Sequence, residues 1–419
     1  MTILLVIVFI IGYLAISLES YSGVNKAAIA LITGVSCWIV VMFFNHQGVE
    51  EQLSQRLGEI SGLLFFLMSA MIIVELIDAH QGFNILTSNI KRNGKQYLTW
   101  TLSLITFFLS AILDNLATTI VMVLLARKLV GNTRERWLII GIIIIAANAG
   151  GVWSPMGGIT STMLWMGRQV TPKGLLSLFL PSLASLIIPV ILCTFNQRGN
   201  VTPSSAPGNG HFTFSRSHQY VALISGLLIL ILVPVTTILT GFPPYMVILL
   251  GLGILWIITE IMHQNNKSES RQATVAEALR RIDTSSILFF LGILLAIAAL
   301  QAAGVLQHMA AWLESNISNK NVIAIILGLL SAIVDNVPLV AASQGMYKYP
   351  ADHNFWLLLT YCTGTGGSIL LIGSAAGVAA MGIEKISFTW YLRKITPIAL
   401  AGFIAGIVVY FIQNYFLSL

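Results

Sequence analysis

Two Asp-Asn pairs lie deep inside apolar sequence, Asp114-Asn115 in FFLSAILDNLATTIVM and Asp335-Asn336 in GLLSAIVDNVPLVAA. An ionised carboxylate near a bilayer midplane costs several kcal/mol and normally marks an ion path or a proton relay. A buried turn between half-helices needs a cap, but a neutral Asn or Ser would supply one at far lower desolvation cost. A carboxylate beside an amide offers the hard oxygen ligands that suit a small monovalent cation. Thr118 and Thr119 add hydroxyls one turn beyond the first pair, whereas Pro338 and Leu339 stand in the loosely corresponding places of the second.

Beyond each pair comes a glycine-rich interruption of an apolar run, NAGGVWSPMGGITST with Asn148, Ser154 and Pro155, then GTGGSILLIGSAAG with Thr365 and Ser368. Unwound backbone there exposes carbonyls and half-helix ends that coordinate cations. The expectation is a site where each Asp-Asn tip meets the break of its own half. Burial also favours the protonated carboxyl. Proton and cation then compete for Asp114 or Asp335, and exchange needs no separate proton pathway. Asp114 is the expected exchanging group.

The elements that position these residues follow from composition. The chain is 56% hydrophobic and 9% charged, with mean hydropathy +0.86. Soluble domains carry about 25% charged residues, so this is an all-α polytopic membrane protein, with the lipid bilayer as its first partner. Its 419 residues suffice for about ten spans. The net charge of +6 and pI of 9.2 come from basic residues in short loops, which reports topology and not nucleic-acid binding. The three cysteines stand in separate apolar segments without metal-ligand spacing. No His-Glu metal motif, nucleophile elbow or phosphate loop is present, so enzyme and cofactor chemistry are not expected. The seven histidines fall mostly at helix ends or in loops.

Apolar runs long enough to span are expected at 2–18, 26–45, 60–79, 137–166 and 174–195, then at 219–240, 244–262, 284–304, 353–381 and 395–416. The Asp-Asn segments, 97–130 and 321–346, are too long for one helix and too short for two spans. They are read as re-entrant helical hairpins with their polar tips buried in protein. The runs 137–166 and 353–381 are read as interrupted helices. SGLLFFL (61–67) matches SSILFFL (285–291), LSAILDN matches LSAIVDN, and Pro181 matches Pro397 in the same order. The chain therefore reads as two repeats, 1–196 and 219–419, joined by a polar Gly-, Pro- and Ser-rich linker at 197–218. Five crossings per repeat make the second inverted relative to the first, with sites at their interface.

Charge supports that topology. With the linker on one side, only Arg56, Arg168, Lys173, Lys320 and Lys348 of the 22 basic residues fall on the other. The linker is thus expected to be cytoplasmic and both termini periplasmic. The amino terminus lacks a basic n-region and a cleavage site, so it is read as a first transmembrane helix.

LDNLATTIVM, NAGGVWSPMGG, IVDNVPLVAA and GTGGSILLIGSAAGVAAMG, in that order, make the chain resemble the NhaD-type sodium/proton antiporters of the ion transporter superfamily. The resemblance implies exchange of Na+ or Li+ for H+ across a bacterial inner membrane, pH homeostasis mainly at alkaline pH, two inverted repeats and often a homodimer. It carries functional expectation onto Asp114, Asn115, Asn148, Ser154, Asp335, Asn336, Thr365, Ser368 and Ser374. Family members often have an acidic residue after SPMG, where this chain has Gly158, Ile159, Thr160 and Ser161, so ion stoichiometry and pH range are open. The alternative is a sodium-coupled organic-anion or arsenite-like oxyanion carrier of the same superfamily. Acidic tips would repel a dicarboxylate, which favours the inorganic cation.

Overall fold

The structure is a computed structural model that describes residues 1–17, 24–44, 48–83, 85, 94–195, 199–201, 215–264, 275–317, 319–333, 336–371 and 373–417. Among these residues the regular structure is helical. The first half runs α1 (Thr2–Ser17), α2 (Lys26–Phe44), α3 (Val49–Ala79), α4 (Lys95–Ser110), α5 (Asn115–Leu129), α6 (Thr133–Val152), α7 (Ile159–Met166), α8 (Pro172–Ser177) and α9 (Phe179–Thr194). The second runs α10 (Arg216–Thr240), α11 (Pro244–Gln264), α12 (Val275–Arg281), α13 (Thr284–Ala302), α14 (Val305–Asn316), α15 (Lys320–Leu330), α16 (Asn336–Met346), α17 (Asn354–Gly366), α18 (Ala375–Glu384), α19 (Phe388–Lys394) and α20 (Thr396–Leu417).

Eight segments among the described residues are long and apolar enough to cross a membrane: α2, α3, α6, α8 with α9, α10, α11, α13 and α20. The chain is a multi-pass membrane protein. Two of the ten expected spans fall below that length. The run at 2–18 is covered by the 16-residue α1, and 353–381 divides into α17 and α18, of 13 and 10 residues. Helix α3 begins eleven residues before its expected start because Glu50, Glu51, Gln52, Gln55 and Arg56 form a solvated extension of the apolar span. The expected linker is shorter than its composition suggests, since Ser215 caps α10 by accepting from His218 N at 3.4 Å and residues 216–218 are already helical. Its start is fixed to α4, where Lys95 N donates to Gly199 O at 3.0 Å. Residues 202–214 lie outside the described residues.

Breaks occur at the Asp-Asn and glycine-rich positions. Helix α4 stops at Ser110, α5 starts at Asn115, and the two pack together across the turn. The corresponding interruption in the second half separates α15 from α16. Likewise α6 ends at Val152 before α7, and α17 ends at Gly366 before α18. Glycine is required where a break meets a tip. A Cβ on Gly157 would lie 2.5 Å from Ser110 O and 3.1 Å from Ala111 Cα, and one on Gly373 would lie 2.6 Å from Ala332 O and 2.9 Å from Ala332 Cα. Serines add ties: Ser110 Oγ donates to Ala147 O at 2.6 Å, and Ser331 Oγ shares its proton between Gly328 O of its own helix at 2.6 Å and Thr363 O at 3.1 Å.

The halves interleave. Contacts pair α2 with α13, α3 with α11, α6 with α17 and α9 with α20, while α5 packs on α18 and α16 on α7. Helix α6 is buried on every face from Ile139 to Val152, as an all-round apolar helix must be at the centre of a bundle. Helices α10 and α11 instead leave Ile224, Leu228, Leu232, Leu250, Ile254 and Ile257 exposed, a surface suited to lipid.

Candidate functional site

The candidate site lies where the start of α5 meets the end of α6 and the start of α18. Asp114 is the N-cap of α5 in extended backbone (φ −70°, ψ 162°), and its Oδ1 accepts from Ala117 N at 2.7 Å. This satisfies one of the orphan donors of the helix start, whose dipole also favours negative charge there. The cap uses part of a carboxylate's capacity, which comprises two oxygens with about four acceptor positions. Asp114 is half-buried amid buried neighbours.

Beside it runs a chain of neutral polar groups. Asn115 Nδ2 donates to Asn148 Oδ1 at 2.8 Å, and Asn148 Nδ2 donates to Ser374 Oγ at 3.0 Å. Ser374 is in turn the N-cap of α18, accepting from Gly377 N at 3.2 Å. All three residues are buried. The chain crosses from the tip through the break of its own half into the break of the other half. The sequence expectation of one site per half, each closed by its own break, is therefore incomplete: the first tip uses both breaks. Asn115 and Ser374 lie far apart in sequence, so only packing of α5 against α18 brings them together.

Thr119 is buried with its hydroxyl donated to Asn115 O at 2.7 Å. Thr118 is also fully buried, and among the described residues its Oγ1 has no hydrogen-bond partner. A buried hydroxyl without a partner costs about 1–3 kcal/mol, and such groups call for an explanation such as an ion or a water. It lies one turn beyond the Asp114 cap.

The other expected residues are arranged differently. Ser154 is half-buried in the first break, and its Oγ accepts from Met156 N at 3.2 Å. The buried hydroxyls of Thr365 and Ser368 donate to Tyr361 O and Thr365 O, both at 2.6 Å. Carbonyls freed by the second break are also taken up: Tyr391 OH donates to Ser368 O at 2.8 Å and Thr396 Oγ1 to Ile369 O at 2.6 Å. Among the described residues no hydrogen bond joins Ser154, Thr365 or Ser368 to the Asn115–Asn148–Ser374 chain. Asn336 is buried as the first residue of α16, and Asp335 lies outside the described residues.

Several hydroxyls escaped the sequence reading. Ser161 Oγ donates to Gly151 O at 3.0 Å and Gly158 O at 2.9 Å, and Thr162 Oγ1 donates to Pro155 O at 2.7 Å. They close the first break with neutral groups close to where the acidic residue is missing. The signal was present as three consecutive hydroxyl residues, Thr160 to Thr162, one residue after the glycines. Ser110 and Ser331 were legible as repeat markers but not as ties between tip and break.

A cavity of about 740 Å³ lies between α3, α11 and α13 on one side and α7 and α16 on the other, with Arg56, Arg168, Gln169, Gln301 and Gln344 among its lining. Arg56 and Arg168 belong to the small basic set that charge counting assigns to the side opposite the linker.

Residues 1–347 match the family model described as "Citrate transporter". Sodium/proton antiporter 1 of Arabidopsis thaliana is 46% identical over 420 residues, covering 96% of this chain and 71% of that protein. Sodium/proton antiporter 2 of the same plant is 44% identical, covering 96% and 98%. The Na(+)/H(+) antiporter NhaD of Vibrio cholerae is 29% identical over 449 residues, covering 98% and 91%. Resemblance and comparison agree over nearly the whole length, and the chain belongs to the sodium/proton antiporter family that includes the NhaD proteins, within the wider citrate-transporter family.

Proposed function

We propose that this chain is a secondary active transporter exchanging Na+ or Li+ for H+, with Asp114 as the group that carries either ion. The observation that carries this reading is the arrangement at the α5 start: a half-buried carboxylate, a partnerless buried hydroxyl one turn away, and a neutral amide–hydroxyl chain beside it. In the cation-loaded form, Asp114 and Thr118 Oγ1 supply oxygens, with the cap bond from Ala117 N holding the carboxylate in place. In the protonated form the carboxyl is neutral and has no charge to offer the cation. Each occupant excludes the other, so a proton taken on one side is traded for a cation on the other. The Asn115–Asn148–Ser374 chain carries no charge, and its task is to hold the tip and the two breaks in register.

The names of the plant and bacterial relatives support this chemistry. We also propose the architecture expected from sequence, two inverted repeats of five transmembrane helices (one interrupted) plus a re-entrant hairpin, with a cytoplasmic linker and periplasmic termini. Supporting it are the matched breaks, the reciprocal packing of α5 on α18 and α16 on α7, and the charge asymmetry. The setting is a bacterial inner membrane on the evidence of the NhaD relatives, while the plant relatives extend the family beyond bacteria.

The description of the matched family model favours one second reading, a carrier of a tricarboxylate or similar anion. Asp114 at the tip opposes it, because a carboxylate repels an anionic substrate. A pH-gradient assay in proteoliposomes, adding Na+, Li+, K+ and citrate in turn, separates the two. Proton movement driven by Na+ or Li+ is expected, and Asp114→Asn is expected to abolish it. A response to citrate alone, or unchanged exchange in Asp114→Asn, sinks the proposal.

A further inference from the structure

A second charged cluster ties the same three helices at their other end. Glu384, the last residue of α18, has a side chain only 2% exposed. Its Oε1 lies 3.2 Å from Arg127 Nε near the end of α5, and its Oε2 accepts from Arg136 Nε at 2.8 Å near the start of α6. Arg136 Nη1 also donates to Val130 O at 3.0 Å and to Gly131 O at 3.4 Å, closing the loop between α5 and α6. At their opposite ends these helices carry Asn115, Asn148 and Ser374. Glu384 lies ten residues along α18 from Ser374, about 15 Å at helical rise, so it touches no ion.

Burying the Glu384 carboxylate against the largely buried Arg136 is not needed merely to pack helices, since apolar side chains of similar volume do so equally well or better, while Arg127 reaches the pair from an exposed position. What a fork of fixed hydrogen bonds adds is axial register. The other half has a tie at the equivalent place. Asp352, just before α17, accepts from Thr171 N at 2.7 Å and from Thr171 Oγ1 at 2.6 Å, in the segment after α7. In each case the far end of a short helix in one half is held to the beginning of the interrupted helix in the other.

We propose that Glu384 is a positioning residue for the cation site: by fixing α18 against α5 and α6, it keeps Ser374 Oγ on Asn148 and Asn148 on Asn115. The tolerance is small. Lengthening the 3.0 Å Asn148–Ser374 bond by roughly half an ångström takes it to the edge of hydrogen-bonding distance. The inference rests on the reading of the Asp114 region as the cation site.

The test uses the full chain in proteoliposomes and compares half-saturating Na+ with maximal rate for Glu384→Gln, Arg136→Lys, Ser374→Ala and the double variant Arg136→Lys/Ser374→Ala. Arg136→Lys keeps the charge but loses the fork, which covers the case in which Glu384→Gln does not fold. Each of the three single variants is expected to raise half-saturating Na+ roughly five- to tenfold, with maximal rate within about twofold. The double variant is expected to exceed Ser374→Ala by less than about twofold, because both act through one hydrogen bond. Unchanged half-saturation in Arg136→Lys, or multiplicative effects in the double variant, overturns the positioning role while leaving the site reading intact. An unaltered Ser374→Ala overturns both.

Discussion

Gly157→Ala tests the tip-to-break contact with one methyl group. The added Cβ would sit 2.5 Å from Ser110 O, 2.7 Å from Gly151 Cα and 3.1 Å from Ala111 Cα. All three neighbours are backbone atoms, so no side chain can rotate away. Ordinary contact begins at 3.4 Å, so the tip and the break must separate by about 0.9 Å. Overpacking of this kind costs about 1–3 kcal/mol, which a protein of this size survives. The functional effect is larger, because a displacement near 1 Å at a preorganised site costs roughly 10²-fold in rate. It acts where Ser110 is bonded to Ala147, next to Asn148. The assay is Na+-driven proton movement in proteoliposomes, with thermal unfolding of the purified protein measured in parallel. Gly58→Ala is the control, since nothing lies within 4 Å of its added Cβ. That change in an exposed helical stretch is expected to leave exchange intact and raise stability by up to about 1 kcal/mol. Exchange within twofold of wild type in a folded Gly157→Ala protein would refute the reasoning that tip and break must touch at backbone distance.

Thr118→Val removes a buried hydroxyl that has no hydrogen-bond partner among the described residues and keeps the shape. Stability is expected to rise by about 1 kcal/mol, while half-saturating Na+ rises several-fold. A stabilised variant with unchanged Na+ dependence would show that Thr118 is not a ligand. His353 makes a pH prediction outside the spanning helices. Its Nδ1 accepts from Phe355 N at 3.1 Å as the cap of α17, which requires the neutral ring, and burial together with nearby Lys320 lowers its pKa from 6.5. The unfolded chain therefore binds the proton more readily. Stability is full above pH 6.5 and falls as acidification proceeds towards the lower folded pKa, with the cap itself worth about 1 kcal/mol. Unfolding curves between pH 7.5 and 5 check this, and His353→Asn, which caps without titrating, is expected to flatten them.

Much of this molecule was written in residue types that a membrane makes expensive. Asp114 and Asp335 inside apolar runs, the glycine clusters and the uneven spread of basic residues are each costly or improbable without a reason, so a linear reading finds them. The breaks in the helices fell where glycine, proline and Asp-Asn stand, because those residues act on local backbone. Amphipathic α14 was missed because its short buried stripe of Val305, Leu306 and Ala310 is interrupted by His308 and the exposed Met309 and Trp312. Which residues meet across the halves was not legible. Ser374 joining Asn148, Glu384 gripping Arg127 and Arg136, and Asp352 holding Thr171 depend on how twenty described helices pack. Hydrogen bonds and ion pairs act over a few ångströms, and sequence spacing sets such distances only within a helix or turn. The carboxylate and its amide neighbour were therefore fixed by the chain itself, whereas the choice of its partners from both halves belongs to the tertiary structure.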